Sequence, residues 1–427
     1  MTQQETTAEK PSVSADGAHK HKRRYSGTAS WHMSKKAVTL TVNDVFSMTD
    51  HEVLDYFVQA RFGSWDTVRC PHCGTIARHY WRALQQRWKC RGCDKTFSVT
   101  SGTPLSHRKR SLKSLLVSSL MWVNSSSGQA ALELKRHLGS TYNAAFLLQH
   151  KLREGLVRGY NVGILAGDLE MDGVHKSGWR SEEKRGRPQG SAWAEVTPET
   201  PVETVEASML TNAAQQKARA EAKGAIDPQY GRRLHHNRRL VLAIRQRSGI
   251  KGGGAVRTRV AVGLAEDAKT ARAVLHRFVS MPESILNTDT SPAYTKIGEG
   301  FRGHSTVEHS KELIGPNGEH NNFAEEYNAR LNRCEKGVHL NVEPKYLLDY
   351  SVETAFRSDT RRLSNGQQLT SALSIVLSVG RSLWWRGFSQ GRHRPDEQTF
   401  PSPRPARSSG PRKGRYPISA ANGRPPR

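Results

Sequence analysis

Two acidic residues, Asp289 and Glu325, stand with 35 residues between them in the second half of this chain of 427 residues, and a third candidate, Asp172, lies upstream in the run Asp168-Leu-Glu-Met-Asp-Gly-Val-His175. Separated carboxylates of this kind are what two-metal phosphoryl-transfer chemistry requires, because hard divalent cations take oxygen ligands that folding brings together from distant segments. Asp168, Glu170 and Asp172 alternate with Leu169 and Met171, so on a strand all three acids share one face. The strand alone does not select Asp172 among them. The structural alternative for Asp289 and Glu325 is a helix cap and a solvated helix face.

A second cluster lies nearer the N-terminus. Cys70-Pro-His-Cys73 is followed after sixteen residues by Cys90-Arg-Gly-Cys93. Each CxxC presents two thiolates from one tight knuckle, and two knuckles complete a tetrahedral zinc site. Four thiolates leave no open position for a substrate, so this metal is expected to be structural. His72 and His79 are substitute ligands that the quartet does not need. The segments 75–80, Arg87–Lys89 and 96–100 read as the strands of a small ribbon around the site.

These residues must be positioned by the elements between them. A short helix is expected around Val45 to Val58, capped at Thr49 or Asp50. Residues 111–158 are helical in pattern, with breaks before Gln129 and at Gly139. Helix, short glycine turn and helix match a helix-turn-helix, whose last helix would offer Tyr142, Asn143, Gln149, Lys151 and Arg153 to DNA. A plain helical bundle linking the two halves is the alternative. Beyond Gly167 come strands at 168–175, 239–244 and 257–263, a helix over 269–280, a strand 284–288 delivering Asp289, a strand 305–309, and an amphipathic helix 321–333 carrying Glu325. That order describes an α/β core of RNase H-like type. Residues 181–236 interrupt it as an insertion.

Composition sets the class of partner. The chain has 65 Lys and Arg against 39 Asp and Glu, a formal net charge of +26, which points to a polyanion, nucleic acid above all. No apolar run reaches the length of a membrane span, and the first residues do not read as a secretory signal, so no membrane partner and a cytoplasmic setting are expected. Residues 1–36 and 387–427 are polar, basic and poor in apolar periodicity, and are expected to be a disordered arm and a disordered Pro/Arg-rich tail. Between them the expected units are a helix plus ribbon (37–105), a helical segment (106–160), the α/β core (161–365) and a C-terminal helix (366–386).

The order of short motifs resembles bacterial insertion-sequence transposases of the ISXO-like group. The matching pieces are Arg61-Phe-Gly-Ser64, Cys70-Pro-His-Cys-Gly74, Cys90-Arg-Gly-Cys-Asp-Lys-Thr-Phe-Ser98, Ser101-Gly-Thr-Pro-Leu105, Leu169-Glu-Met-Asp172, Asn287-Thr-Asp-Thr290 with Tyr294, Val307-Glu-His-Ser310, His320-Asn-Asn-Phe-Ala-Glu325 and the stretch from Tyr350 to Arg362. The resemblance implies a DDE triad of Asp172, Asp289 and Glu325. It also implies two Mg²⁺ or Mn²⁺ ions about 3.5–4 Å apart, one structural Zn²⁺ on Cys70, Cys73, Cys90 and Cys93, and additional metal or phosphate contacts from Asn322 and His320. The implied reaction is cleavage and strand transfer at the element's ends, with terminal inverted repeats and target DNA as partners and a homo-oligomer assembled on them. His304, His309 and His320 are expected to position or pack, and Cys334 has no covalent role. The chain departs from the family pattern at Gly173, where an acid often stands, and at Asn332-Arg333, where a Lys often stands. The alternative function is a non-catalytic DNA-binding protein, domesticated or decayed, that keeps the ribbon and the helical segment.

Overall fold

The computed structural model describes residues 31, 34–177, 238–250, 253–295, 297–307, 320–340, 342–394 and 397–400. Most of the expected N-terminal arm (1–30, 32 and 33), the 181–236 insertion, His309 and the tail beyond 400 lie outside the described residues. The chain starts with two short helices, α1 (Val42–Ser47) and α2 (Asp50–Phe62). Thr41 and Thr49 begin them as reciprocal capping boxes with Asp44 and Glu52, and Gly63 ends α2 at φ +76°. A three-stranded antiparallel ribbon follows, β1 (Tyr80–Arg82), β2 (Arg87–Lys89) and β3 (Thr96–Phe97). Its first strand starts where the sequence reading ended it, because the chain before Tyr80 makes only a single bridge, between Arg69 and Ile76.

Three helices come next: α3 (Leu112–Asn124), α4 (Ala131–Leu138) and α5 (Tyr142–Gly159). Ser111 and Thr141 cap α3 and α5, and Gly139 stops α4 in the left-handed conformation. The α/β core then builds one sheet from β4 (Leu165–Ser177), β5 (Arg238–Arg247), β6 (Ala255–Gly263), β7 (Val279–Asp289) and β8 (Gly303–Val307). Its order is β6-β5-β4-β7-β8, with β4, β5 and β6 antiparallel and β4, β7 and β8 parallel. The helices of this half are α6 (Ala268–Phe278), the single turn α7 (Pro292–Thr295), α8 (Asn322–Cys334), α9 (Leu347–Asp359) and α10 (Asn365–Ser378).

Strand alternation sorts the apolar residues to the two faces. Leu169, Met171, Leu240, Leu242, Ile244 and Leu286 pack with Val274, Leu275 and Phe278 of α6. Val241, Ala243, Val260 and Val262 face the other way, toward Tyr327 and Leu331 of α8 and Val352, Ala355 and Phe356 of α9. The second cluster is continuous through α5 and α10 to α2, α3 and the ribbon residues Trp88 and Phe97. Ribbon, helical segment and sheet therefore share one core, not a separate core for each.

Two sequence expectations are corrected here. The helix α5 is not a free groove reader: Gln149 is buried against Gln129, and Arg153 is buried with Nε 2.6 Å from Glu353 on α9. Burial alone would raise the Glu353 carboxyl, but Arg153 and Arg357 hold it down at about 2. A helix so tied by its basic side chain cannot offer that side chain to a groove. The chain also stays ordered past Gly387. Trp385 is buried, Arg394 is buried against Asp349 at 3.0 Å, Glu397 pairs with Arg239 at 2.6 Å, and Phe400 bonds to Val262 at the sheet edge.

The acids of β4 that share a face have separate fates. Asp168 is exposed, while Glu170 is fully buried. The Glu170 carboxylate accepts from the backbone N–H groups of Phe323 (2.8 Å) and Ala324 (3.0 Å), the first turn of α8. It also accepts from Arg247 Nε at 2.7 Å and lies 3.1 Å from His320 Nδ1. Glu170 thus caps α8 from across the sheet, where Asn321 makes no side-chain cap of its own. Truncation to Ala would leave Arg247 and the helix end unpaired in the interior. Glu170→Ala is expected to cost about 3–5 kcal/mol in urea unfolding, whereas Asp168→Ala should stay within about 0.5 kcal/mol; equal effects would contradict the assignment.

Candidate active site and metal centre

The parallel register of β4 and β7 pairs Glu170 with Asn287. Extended two residues along each strand, beyond the last pair, the same offset sets Asp172 level with Asp289, which ends β7. Neighbouring strands lie about 4.8 Å apart and residues at one level point to one face. That face is the one covered by α8. Asn328 of α8 donates from Nδ2 to Asp172 Oδ2 at 2.7 Å, while Gly173 N donates to Oδ1 at 2.8 Å. Glu325 sits one turn before Asn328 on the helix, exposed, so strand and helix present it toward the same end of the sheet.

The electrostatics agree with this convergence. Burial, followed by the fields of Asp289, Glu266 and Glu325, raises the Asp172 carboxyl to about 7, although the Gly173 N–H opposes the rise. Asp289 is half-buried and its Oδ1 accepts from Ser291 N at 2.9 Å, which fixes the turn after β7. The three carboxylates are not drawn together to contact. Among the described residues, only the four cysteines place three or more candidate ligand atoms within 4.8 Å of one another.

Of the residues singled out nearby, His320 is held by Glu170, and burial and then Arg247 lower its pKa. Asn322 is half-buried at the first position of α8, one turn before Glu325. His304 packs at the strand edge, 3.0 Å from Thr288 Oγ1. Tyr142 and Asn143 are exposed at the start of α5, and Lys151 is half-buried.

Sequence reasoning missed Asn328 and Glu266. Asn328 was legible as the residue one turn beyond Glu325 on the same flank. Glu266 follows β6, accepts from Tyr294 OH at 2.9 Å and lies 2.9 Å from His175 Nε2. A Cβ at position 173 would meet Leu240 at 2.9 Å, the Tyr294 hydroxyl at 3.0 Å and the Glu266 carboxylate at 3.4 Å. The glycine that departs from the family pattern is thus the residue that leaves room for Glu266.

In the ribbon, Cys70 Sγ lies 3.8 Å from Cys93 Sγ and Cys73 Sγ lies 3.5 Å from Cys90 Sγ. A tetrahedron of Zn–S bonds near 2.3 Å has sulfur–sulfur edges of about 3.8 Å, so the quartet fits a structural zinc ion. Each knuckle repeats the same bonds: His72 N donates to Cys70 Sγ and Gly92 N to Cys90 Sγ, and Gly74 and Asp94 take positive φ after the second cysteine. His79 is not part of the quartet; its Nδ1 accepts from Arg91 N at 3.2 Å. His72 is exposed.

Residues 48–96 match the transposase zinc-ribbon domain, and residues 206–359 match the ISXO2-like transposase domain. The chain pairs a transposase zinc ribbon with an insertion-sequence transposase domain. The transposase-domain match takes in Asp289 and Glu325 and begins after Asp172. No curated protein matches the chain significantly. The two matched domains imply DNA binding, and no helix among the described residues is long and apolar enough to cross a membrane.

Two measurements follow. Asp172 has its folded pKa above the unfolded value of 3.8, so in metal-free protein it lowers stability progressively as pH rises from about 4 to about 7. Asp172→Asn should therefore raise the Tm more at pH 8 than at pH 5; a pH-independent effect would show that the raised pKa is wrong. Purified protein should also hold one Zn²⁺ per chain, lost in Cys90→Ser, by elemental analysis.

Proposed function

We propose that the chain is a DNA transposase that cuts and joins DNA at insertion-sequence ends, with Asp172, Asp289 and Glu325 as its metal-binding carboxylates on an RNase H-like core. The observation that carries this reading is geometric: the β4–β7 pairing sets Asp172 and Asp289 at one end of the sheet, under the helix that bears Glu325 and bonds Asp172 through Asn328 at 2.7 Å. The strand order β6-β5-β4-β7-β8, three antiparallel strands extended by two parallel ones, supports the core assignment.

An all-oxygen donor set suits Mg²⁺ or Mn²⁺. Two such ions, when bound, activate a water or 3′-hydroxyl nucleophile and stabilise the leaving oxygen. The chain's own residues do the rest. Asp172 gives up its proton to become a ligand, so divalent cation affinity rises through neutral pH. Asn328 fixes one oxygen of Asp172, and its own Oδ1 is buried without a hydrogen-bond partner beside that carboxylate. Glu170 spends its charge on α8 and Arg247 and is not a ligand. The Zn²⁺ on the four cysteines keeps the ribbon folded and takes no part in the chemistry. The exposed start of α5, with Tyr142 and Asn143, and the basic residues Lys135 and Arg136 of α4 are the DNA-facing surface of the helical segment. Joining two ends calls for a DNA-bound homo-oligomer.

The test is nicking and strand transfer on labelled DNA carrying the terminal repeats that flank the gene, with Mg²⁺ or Mn²⁺. Asp289→Asn and Glu325→Gln should each lower the rate by at least about a thousandfold while leaving DNA affinity within about twofold. Activity that survives either substitution would remove that residue from the site. Specific binding without cleavage by the wild type would favour the DNA-binding remnant instead.

A further inference from the structure

A cavity of about 230 Å³ opens between α8, α9 and the loop joining α3 to α4, lined by Arg330, Arg333 and Arg357 with Ser126, Ser127 and Ser358. Thr354 and Cys334 complete its wall, and among the described residues no carboxylate lines it. The three guanidinium groups differ in freedom. Arg357 is fixed, donating to the carbonyls of Trp122, Val123 and Ser125 and to Glu353. Arg330 holds Glu326 through Nε (3.0 Å) and one terminal nitrogen (2.6 Å). Arg333 is exposed and has no hydrogen bond or ion pair among the described residues, nor do the hydroxyls of Ser126 and Ser127.

The charge near the cavity is uncompensated on the positive side. Glu353, the nearest buried acid, is already shared between Arg153 and Arg357, each at 2.6 Å. Both terminal nitrogens of buried Arg153 and Nε2 of His339 lack hydrogen-bond partners. The loop is seated against this region: a Cβ on Gly128 would meet His339 Nε2 at 3.0 Å and Cys334 Sγ at 3.5 Å. Guanidinium donors with hydroxyls around a small water-accessible space match a tetrahedral anion bearing several acceptor oxygens.

We propose that this cavity is a phosphate-binding pocket, filled by a backbone phosphate of DNA. Arg330 and Arg333 follow Glu325 by five and eight residues on α8, about 8–12 Å along its axis. The pocket takes no part in bond breaking. It rests on the transposase reading only for the source of its phosphate; free inorganic phosphate is the other source with the same chemistry.

The experiment uses the full chain, Arg333→Ala, and Ser127→Asp, which sets a negative charge in the pocket. Affinity for a labelled duplex of arbitrary sequence is measured over a KCl series, and the Tm is measured with inorganic phosphate at constant ionic strength. Both variants should keep the wild-type Tm in phosphate-free buffer, bind duplex about tenfold more weakly, and show a log Kd against log [KCl] slope reduced by about one. A Tm rise with phosphate in wild type alone, without change in duplex affinity, supports the pocket and overturns DNA as its source. Wild-type duplex affinity and slope in both variants, with no phosphate response in any protein, overturn the pocket. Should Ser127→Asp fail to fold, the exposed Arg333→Ala carries the same readouts. Duplex binding absent from the wild type would count against the transposase reading, and the phosphate arm would still decide the pocket.

Discussion

The carboxylate of Glu170 ties three parts of the molecule together. From the middle of the central strand it accepts two backbone N–H bonds from α8, holds Arg247 of the neighbouring strand and meets His320 ahead of the helix. A helix N-terminus carries partial positive charge on unsatisfied donors, so together with Arg247 it compensates the buried anion placed there. Arg245, one strand over and buried, extends the arrangement by donating to the carbonyl of Phe323 at 2.6 Å and to Ser358 of α9 at 2.8 Å. The position of α8 on the sheet follows from these bonds, and with it the position of Glu325 and Asn328. Removing the anion would not merely weaken the fold; it would release the helix that brings the third acid to the strands.

Three acids on one strand face thus serve three purposes that burial and partners decide. Asp168 lies in water and carries no structural load. Glu170 is neutralised by donors. Asp172 is half-buried near other acids, bonded by Asn328 and Gly173, and its carboxyl rises to about 7. A carboxyl raised chiefly by burial, and further by neighbouring acids, exchanges its proton for a divalent cation near neutral pH, which links the electrostatics of the metal-free protein to the proposed chemistry.

Much of this was legible in the residues. The ribbon's knuckles follow from CxxC spacing alone, and residue type narrowed the cap of α2 to Thr49 or Asp50, of which Thr49 is the cap. The order of strands and helices around Asp172, Asp289 and Glu325 was readable from alternation and helical spacing. What was not legible depends on tertiary partners. Polar side chains on α5 looked like a nucleic-acid face, but Arg153 faces a carboxylate two hundred residues away in the sequence. The segment after Gly387 looked like tail by composition, yet a buried Trp385 and two ion pairs through Arg394 and Glu397 hold it to the body. Glu266 carried no motif; only the space left by Gly173 reveals its place.

The most direct test is anomalous diffraction from crystals of the chain grown with Mn²⁺ at pH 8. The account predicts manganese between Asp172, Asp289 and Glu325, with Glu170 still bonded to the start of α8. Manganese bound elsewhere, or an α8 that turns Glu325 away from the two aspartates in the metal-bound state, would contradict it.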